Sequence, residues 1–390
     1  MLFDLENNNT VYEYNASTYF TPASNTKILT LFASLKILGD SVPGLRYVIR
    51  GDSLIFWGTG DPSFLYKNVH NDSSVYTFLK STDKRLFFSA ANFMTNHFGP
   101  GWAWDDYAYA YSSERSPLPI YGNFSTVKGL GKNVLVEPPF MKKYLTVSRQ
   151  SRRASGVRDL DSNDFKVSLT DNSNEKFEFD IPFKVDPVLT AQLLADTLKK
   201  NVDVIEMQLP QDAARIFSLP VDSLYKVLME DSDNFIAEQL LLLCSGTIGD
   251  TLNPEKTITH ITNNYLTDLP DKPAWVDGSG LSRYNLLTPR SVVQLWKKIY
   301  SLVPRERLFA MLATGGKSGT IRNWYNSSEG KPYIFGKTGT IRNNHCLSGY
   351  LIARSGKTFI FSFMNSNYTV SANEIRTNMQ TILKLIYENY

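Results

Sequence analysis

The spacing of apolar residues changes twice along the chain and divides it into three parts. Residues 2–5 and 11–14 flank Glu6-Asn7-Asn8-Asn9-Thr10, which predicts two short strands joined by a turn. Pro22-Ala23 then opens a helix in which Ile28, Leu31, Leu35 and Leu38 recur at three or four, and Gly39 stops it. From about residue 48 to 185, short alternating runs such as Leu54-Ile55-Phe56-Trp57 and Phe177-Glu178-Phe179-Asp180 are broken by Gly, Asn, Asp and Ser. That pattern predicts a mostly β region. Helical spacing returns at Leu189, Leu193, Leu194 and Leu198, and two further helices, Val221 to Met229 and Phe235 to Cys244, flank Ser232. Thr288-Pro289 caps and opens another, through Val292, Val293, Leu295 and Trp296. Strands are predicted over residues 333–340, 346–353 and 358–365. Ser371-Ala372-Asn373-Glu374 reads as a capping box for a last helix that packs Ile375, Met379, Ile382 and Ile386 on them.

This order implies a mixed α/β (α+β) fold, with a sheet and flanking helices built from residues 1–48 and 186–390. Residues 49–185 form an inserted, mostly β region of one or two subdomains. A chain of 390 residues has room for more than one core. Composition narrows the function without naming it. A 42% apolar, 20% charged chain folds, and no run of about 18 apolar residues is present to cross a membrane. A net charge of +3 is too small for a nucleic-acid protein of this length. Two cysteines exclude a disulfide framework, and Cys244 and Cys346 sit in apolar runs as packed free thiols. The four histidines, His70, His97, His260 and His345, have no metal-ligand spacing, so neither metal nor cofactor is expected. Lys142, Lys143, Arg149, Arg152, Arg153 and Arg158 read as a solvated basic loop.

The chemistry lies in three short segments: Ser24-Asn25-Thr26-Lys27, Ser232-Asp233-Asn234 and Lys337-Thr338-Gly339-Thr340. Together they supply a serine nucleophile with a lysine one helical turn on, a second hydroxyl with an amide, and a strand-borne lysine to grip a carboxylate. Such a site transfers acyl groups without a histidine, provided Lys27 loses its proton readily.

Each segment alone is weak evidence. Ser-x-x-Lys recurs at Ser81, Ser125, Ser173, Ser223 and Ser328. Ser24 is distinguished because it opens an apolar helix, where residues three apart share a face and the unpaired N–H groups favour a developing oxyanion. Lys317-Ser318-Gly319-Thr320 rivals the third segment, but Thr314-Gly315-Gly316 before it predicts a loop, whereas Tyr333-Ile334-Phe335 leads Lys337 into a strand. Gly339 is expected to let a ligand backbone approach that strand.

These three segments resemble those of penicillin-binding proteins and serine β-lactamases. The long gap between Lys27 and Ser232 is more similar to the D-alanyl-D-alanine carboxypeptidase/endopeptidase family that carries a large insertion. Gly60-Asp61-Pro62, Gly101-Trp102-Ala103-Trp104-Asp105-Asp106-Tyr107 and Asp277-Gly278-Ser279-Gly280-Leu281-Ser282 extend the likeness over nearly the whole chain. The resemblance implies a serine transpeptidase/β-lactamase-like fold acting on peptidoglycan stem peptides and acylated by β-lactams. It gives Ser24 as nucleophile, Lys27 as its base and Ser232 as proton relay. Asn234 would hold the substrate amide, Lys337 and Thr338 the terminal carboxylate, and the Ser24 and Thr340 N–H groups the oxyanion. It also implies a periplasmic protein with an export signal. Residues 1–6 carry none, so the native polypeptide is expected to begin further upstream. A β-lactamase-like esterase, or a wall-binding module without turnover, would keep the same segments.

Overall fold

The computed structural model describes residues 1–69, 73–131, 133–148, 151–170, 175–327 and 330–390. His70, Arg149, Ser173 and Ser328 lie outside them.

Six antiparallel strands form the sheet beneath the site, in the order Ala313–Thr314, Ile334–Ile341, Asn344–Ile352, Thr358–Ser366, Leu2–Asp4, Asn9–Tyr12. None of them falls within residues 49–185. The chain's first strand therefore completes a sheet whose other long strands come from its last quarter, with Leu2 opposite Phe361. The strand Asn344–Ile352 is buried along nearly its whole length because both faces of the sheet are covered. On one face Tyr350 and Ile360 meet the helices Lys27–Ile37, Asn234–Gly249 and Pro289–Tyr300 in a single core. On the other, Leu347, Leu351 and Phe361 meet the last helix, Ala372–Asn389.

Of the expected face of that last helix, Met379 is buried and Ile375 and Ile386 are partly buried against the same core, but Ile382 is not. The buried stripe of the helix is Met379, Leu383 and Tyr387, spaced at four, while Ile382 is 44% exposed. The Ser371 hydroxyl does cap it, accepting from the Glu374 N–H at 3.2 Å.

The inserted region has its own core, around Phe56, Phe88, Val127, Phe165 and Leu194. Its five-stranded sheet runs Val202–Val204, Arg85–Ser89, Ser53–Gly58, Ser41–Arg50, Ala214–Pro220. Two three-stranded sheets complete it. The strands at 41–50 and 214–220 lie side by side and antiparallel, so this sheet takes residues from beyond both expected limits, 49 and 185. The strand Ala214–Pro220 is mostly exposed and lacks the apolar alternation that would have marked it.

Arg158 is not part of a solvated basic loop. It is buried, donates to the carbonyls of Pro182, Asp159 and Leu160, and lies 3.6 Å from Glu114, whereas Lys142, Lys143, Arg152 and Arg153 are exposed. Cys244 and Cys346 are buried free thiols.

Candidate active site

Ser24 lies in a 3-10 turn, Ala23–Thr26, that runs directly into the helix Lys27–Ile37. Two glycines let that turn sit where it does. A side chain at Gly339 would place its first carbon 2.3 Å from the Pro22 carbonyl oxygen, and one at Gly280 would come within 1.9 Å of the Ala23 carbonyl oxygen. Gly339 thus admits the chain's own serine turn against the strand, where a ligand backbone was expected. Asn25 pins the turn further, donating to the Lys337 carbonyl at 3.0 Å and accepting from the Ser348 hydroxyl at 2.6 Å.

The Lys27 ammonium is wholly buried and donates to Ser24 Oγ at 2.9 Å, Asn234 Oδ1 at 2.6 Å and the Ser279 carbonyl at 2.7 Å. Burial lowers its pKa to about 8, against the opposing pull of Asp277, Glu238 and Asp233. Like charge acts on the other lysine of the site. Lys337 is pushed well below its ordinary value, first by burial and then by Lys27.

Ser232 follows a π-helical turn, Val227–Asp231, and has left-handed backbone (φ 65°). Asp233 then caps the helix Asn234–Gly249 through the Ile236 N–H at 2.9 Å. Ser232 Oγ accepts from the Lys337 ammonium at 2.7 Å. Lys337 also donates to the Thr338 carbonyl at 2.9 Å and is fully buried, so both of these hydrogen bonds are made within the protein. Asn234 is likewise engaged within the protein, its oxygen by Lys27 and its nitrogen by the Tyr111 carbonyl at 3.0 Å.

Ser24, Ser232, Thr338 and Thr340 line one cavity of about 300 Å³. All three segments therefore meet. The rival segment contributes as well: Lys317 is exposed in a loop, but Thr320 lines the cavity and accepts from the Thr338 hydroxyl at 2.7 Å. Three of the competing lysines pair with acids, Lys84 with Asp83, Lys128 with Glu137 and Lys226 with Glu230.

Several contributors carry no local signature in the sequence. The Ser279 and Tyr111 carbonyls are backbone groups, and any residue could offer them. Ser279 is held by a buried polar network in which Glu238 accepts from its N–H at 2.7 Å and pairs with Arg115 at 3.1 Å. Asp277 closes the turn by accepting from the Gly280 N–H at 2.9 Å and the Asn285 amide at 2.7 Å. His345, on the cavity wall, lies 2.8 Å from the Thr340 hydroxyl, and burial lowers its pKa to about 4. Among the described residues, no group of three or more His, Cys, Asp or Glu could hold a metal ion.

Known proteins are similar to this chain over most of its length. The D-alanyl-D-alanine carboxypeptidase DacB of Haemophilus influenzae is 22% identical, the match covering 98% of this chain and 88% of that one. The penicillin-sensitive carboxypeptidase A of Dictyostelium discoideum is also 22% identical, over 88% of this chain and 76% of that protein. The crystal structure of penicillin binding protein 4 from Haemophilus influenzae superposes with a TM-score of 0.79 at 21% identity, covering 99% of this chain and 95% of the other. This likeness establishes the fold as that of the serine transpeptidases. With residues 1–388 matching it, the chain belongs to the D-Ala-D-Ala carboxypeptidase 3 (S13) family.

Proposed function

We propose that Ser24 is the residue at which this serine-type D-Ala-D-Ala carboxypeptidase is acylated by its substrate, with Lys27 as the base. The observation that carries the assignment is the partner set of Lys27. Asn234 Oδ1 and the Ser279 carbonyl can only accept hydrogen bonds, so in the neutral amine both N–H groups are committed to them. The remaining lone pair then faces Ser24 Oγ, and a pKa of about 8 keeps a useful neutral fraction near pH 7.

Ser24 Oγ attacks the carbonyl carbon of the penultimate D-alanine, and its proton passes to Lys27. The Ser24 and Thr340 N–H groups receive the oxyanion. The C–N bond breaks as Ser232, held by Lys337, delivers its proton to the departing amine and regains one from protonated Lys27, which returns to the neutral amine. Water then hydrolyses the Ser24 ester, releasing the shortened peptide and restoring the hydroxyl. Asn234 acts here as a positioning residue for Lys27.

The substrate class is the peptidoglycan stem peptide, and β-lactams are expected to acylate the same serine. A wall substrate makes the periplasm the proposed location, which cell fractionation tests. No described helix is long and apolar enough to cross a membrane. Labelled penicillin should mark a single peptide containing Ser24, and D-alanine should appear from a D-Ala-D-Ala peptide. Persistence of the adduct in Ser24→Ala would remove the assignment.

A further inference from the structure

We propose that Arg376 recognises the free C-terminal carboxylate of the peptide substrate, a specificity role that rests on the acyl-transfer reading of the cavity. Arg376 belongs to the last helix, far in sequence from all three segments, yet it lines the same cavity as Ser24, Ser232, Thr338 and Thr340. Among the described residues, no carboxylate lines that cavity. Among the described residues, no acidic side chain pairs with the Arg376 guanidinium, whose titratable neighbours are Tyr325, His345 and Tyr368.

The other candidate cations are committed. The Lys27 and Lys337 ammonium groups are fully buried, both have depressed pKa values, and their hydrogen bonds are directed at Ser24, Asn234, Ser279, Ser232 and the Thr338 carbonyl. His345 is neutral at physiological pH. Arg376 is therefore the cavity's permanent positive charge, since a guanidinium does not deprotonate in this range. A partly buried guanidinium that lines a cavity and has no acidic partner among the described residues favours a planar anion that takes two parallel N–H bonds. The terminal carboxylate is the anion that every D-Ala-D-Ala substrate places within two bonds of the scissile nitrogen.

The test compares two peptides, one ending in free D-Ala-D-Ala and one in its C-terminal amide, on wild type, Arg376→Gln and Arg376→Lys. Arg376→Gln should lose roughly ten- to hundredfold in kcat/KM on the free acid, mainly through KM, and stay within about twofold on the amide. Arg376→Lys should recover part of the loss, because it restores the charge without the fork. Absence of D-alanine release by wild type would sink the acyl-transfer reading and this one with it. With wild type active, an equal loss on both peptides, or no loss, in Arg376→Gln overturns the role of Arg376 alone. If Arg376→Gln proves unfolded by its melting curve, the acid-to-amide ratio of Arg376→Lys decides in the same way.

Discussion

The Tyr66 hydroxyl donates to Asp233 Oδ2, joining the inserted region to the middle of the Ser232-Asp233-Asn234 segment. Tyr66 is buried edge-on against Phe124 and Phe235, and burial, reinforced by the Asp233 charge, raises its pKa well above the usual range, so it remains a donor. On the other flank, the Tyr111 carbonyl takes the Asn234 amide. The two residues after Ser232 are thus gripped from outside the catalytic sheet.

Tyr66→Phe should therefore slow acylation although Tyr66 touches no substrate. Losing a hydrogen bond to a carboxylate costs about 1.5–3 kcal/mol, so a rate loss of about tenfold or more and a melting point lower by several degrees are expected. Penicillin acylation rates and thermal melts check this. Unchanged values for both would show that the contact holds nothing in place.

Acylation should rise with pH and level off above about 8, because only neutral Lys27 can accept the Ser24 proton. The stability effect of the same group has a definite sign. Its folded pKa, about 8, lies below the ordinary lysine value of 10.5, so the unfolded chain binds more protons between those values. The buried lysine therefore costs about 3 kcal/mol below pH 8, and that cost is relieved as pH climbs towards 10.5. A second-order acylation rate that stays flat from about pH 6 to 9 would contradict this assignment of the base.

Gly280→Ala should all but abolish acylation. Its φ of 84° disfavours any side chain, and the added carbon would lie 1.9 Å from the Ala23 carbonyl oxygen, so the turn bearing Ser24 must move. Gly39→Ala is the matched control, since its added carbon meets nothing within 4 Å. A melting and acylation comparison of the two variants reads the effect directly. Similar behaviour in both would refute it.

Lys337→Met should slow free-acid and amidated peptides alike, by roughly ten- to hundredfold, because the ammonium it removes holds Ser232 for every substrate. The sequence reading expects a selective loss on the free acid instead. The ratio of the two kcat/KM values separates these outcomes.

The three motif segments were legible because helix and strand periodicity told which serine opens a helix and which lysine rides a strand. The last helix shows where periodicity stops. Ile375, Ile382 and Ile386 are as apolar as Met379, Leu383 and Tyr387, yet the neighbouring sheet buries the second set, takes Ile375 and Ile386 only partly and leaves Ile382 exposed. Arg158 looked solvated because it stands in a run of basic residues, yet Glu114 and a ring of carbonyls, distant or unmarked in sequence, take it inside. Thr320 was set aside with its segment for the opposite reason: the loop reading was sound, but a loop can still border a cleft. Arg376 and the Ser279 carbonyl are placed by tertiary packing alone.

The Lys27 ammonium and the Ser279 carbonyl are separated by 252 positions, and Asn25 reaches 312 positions onward to the Lys337 carbonyl. Closing spans of that length is entropically costly and comes late in folding. A growing or truncated chain that carries Ser24 and Lys27 but lacks the strand Ile334–Ile341 has a nucleophile without its setting. On the proposed assignment, reactivity towards a penicillin would be a property of the finished molecule, and a fluorescent penicillin would count completed chains where an antibody to the first helix would count all of them.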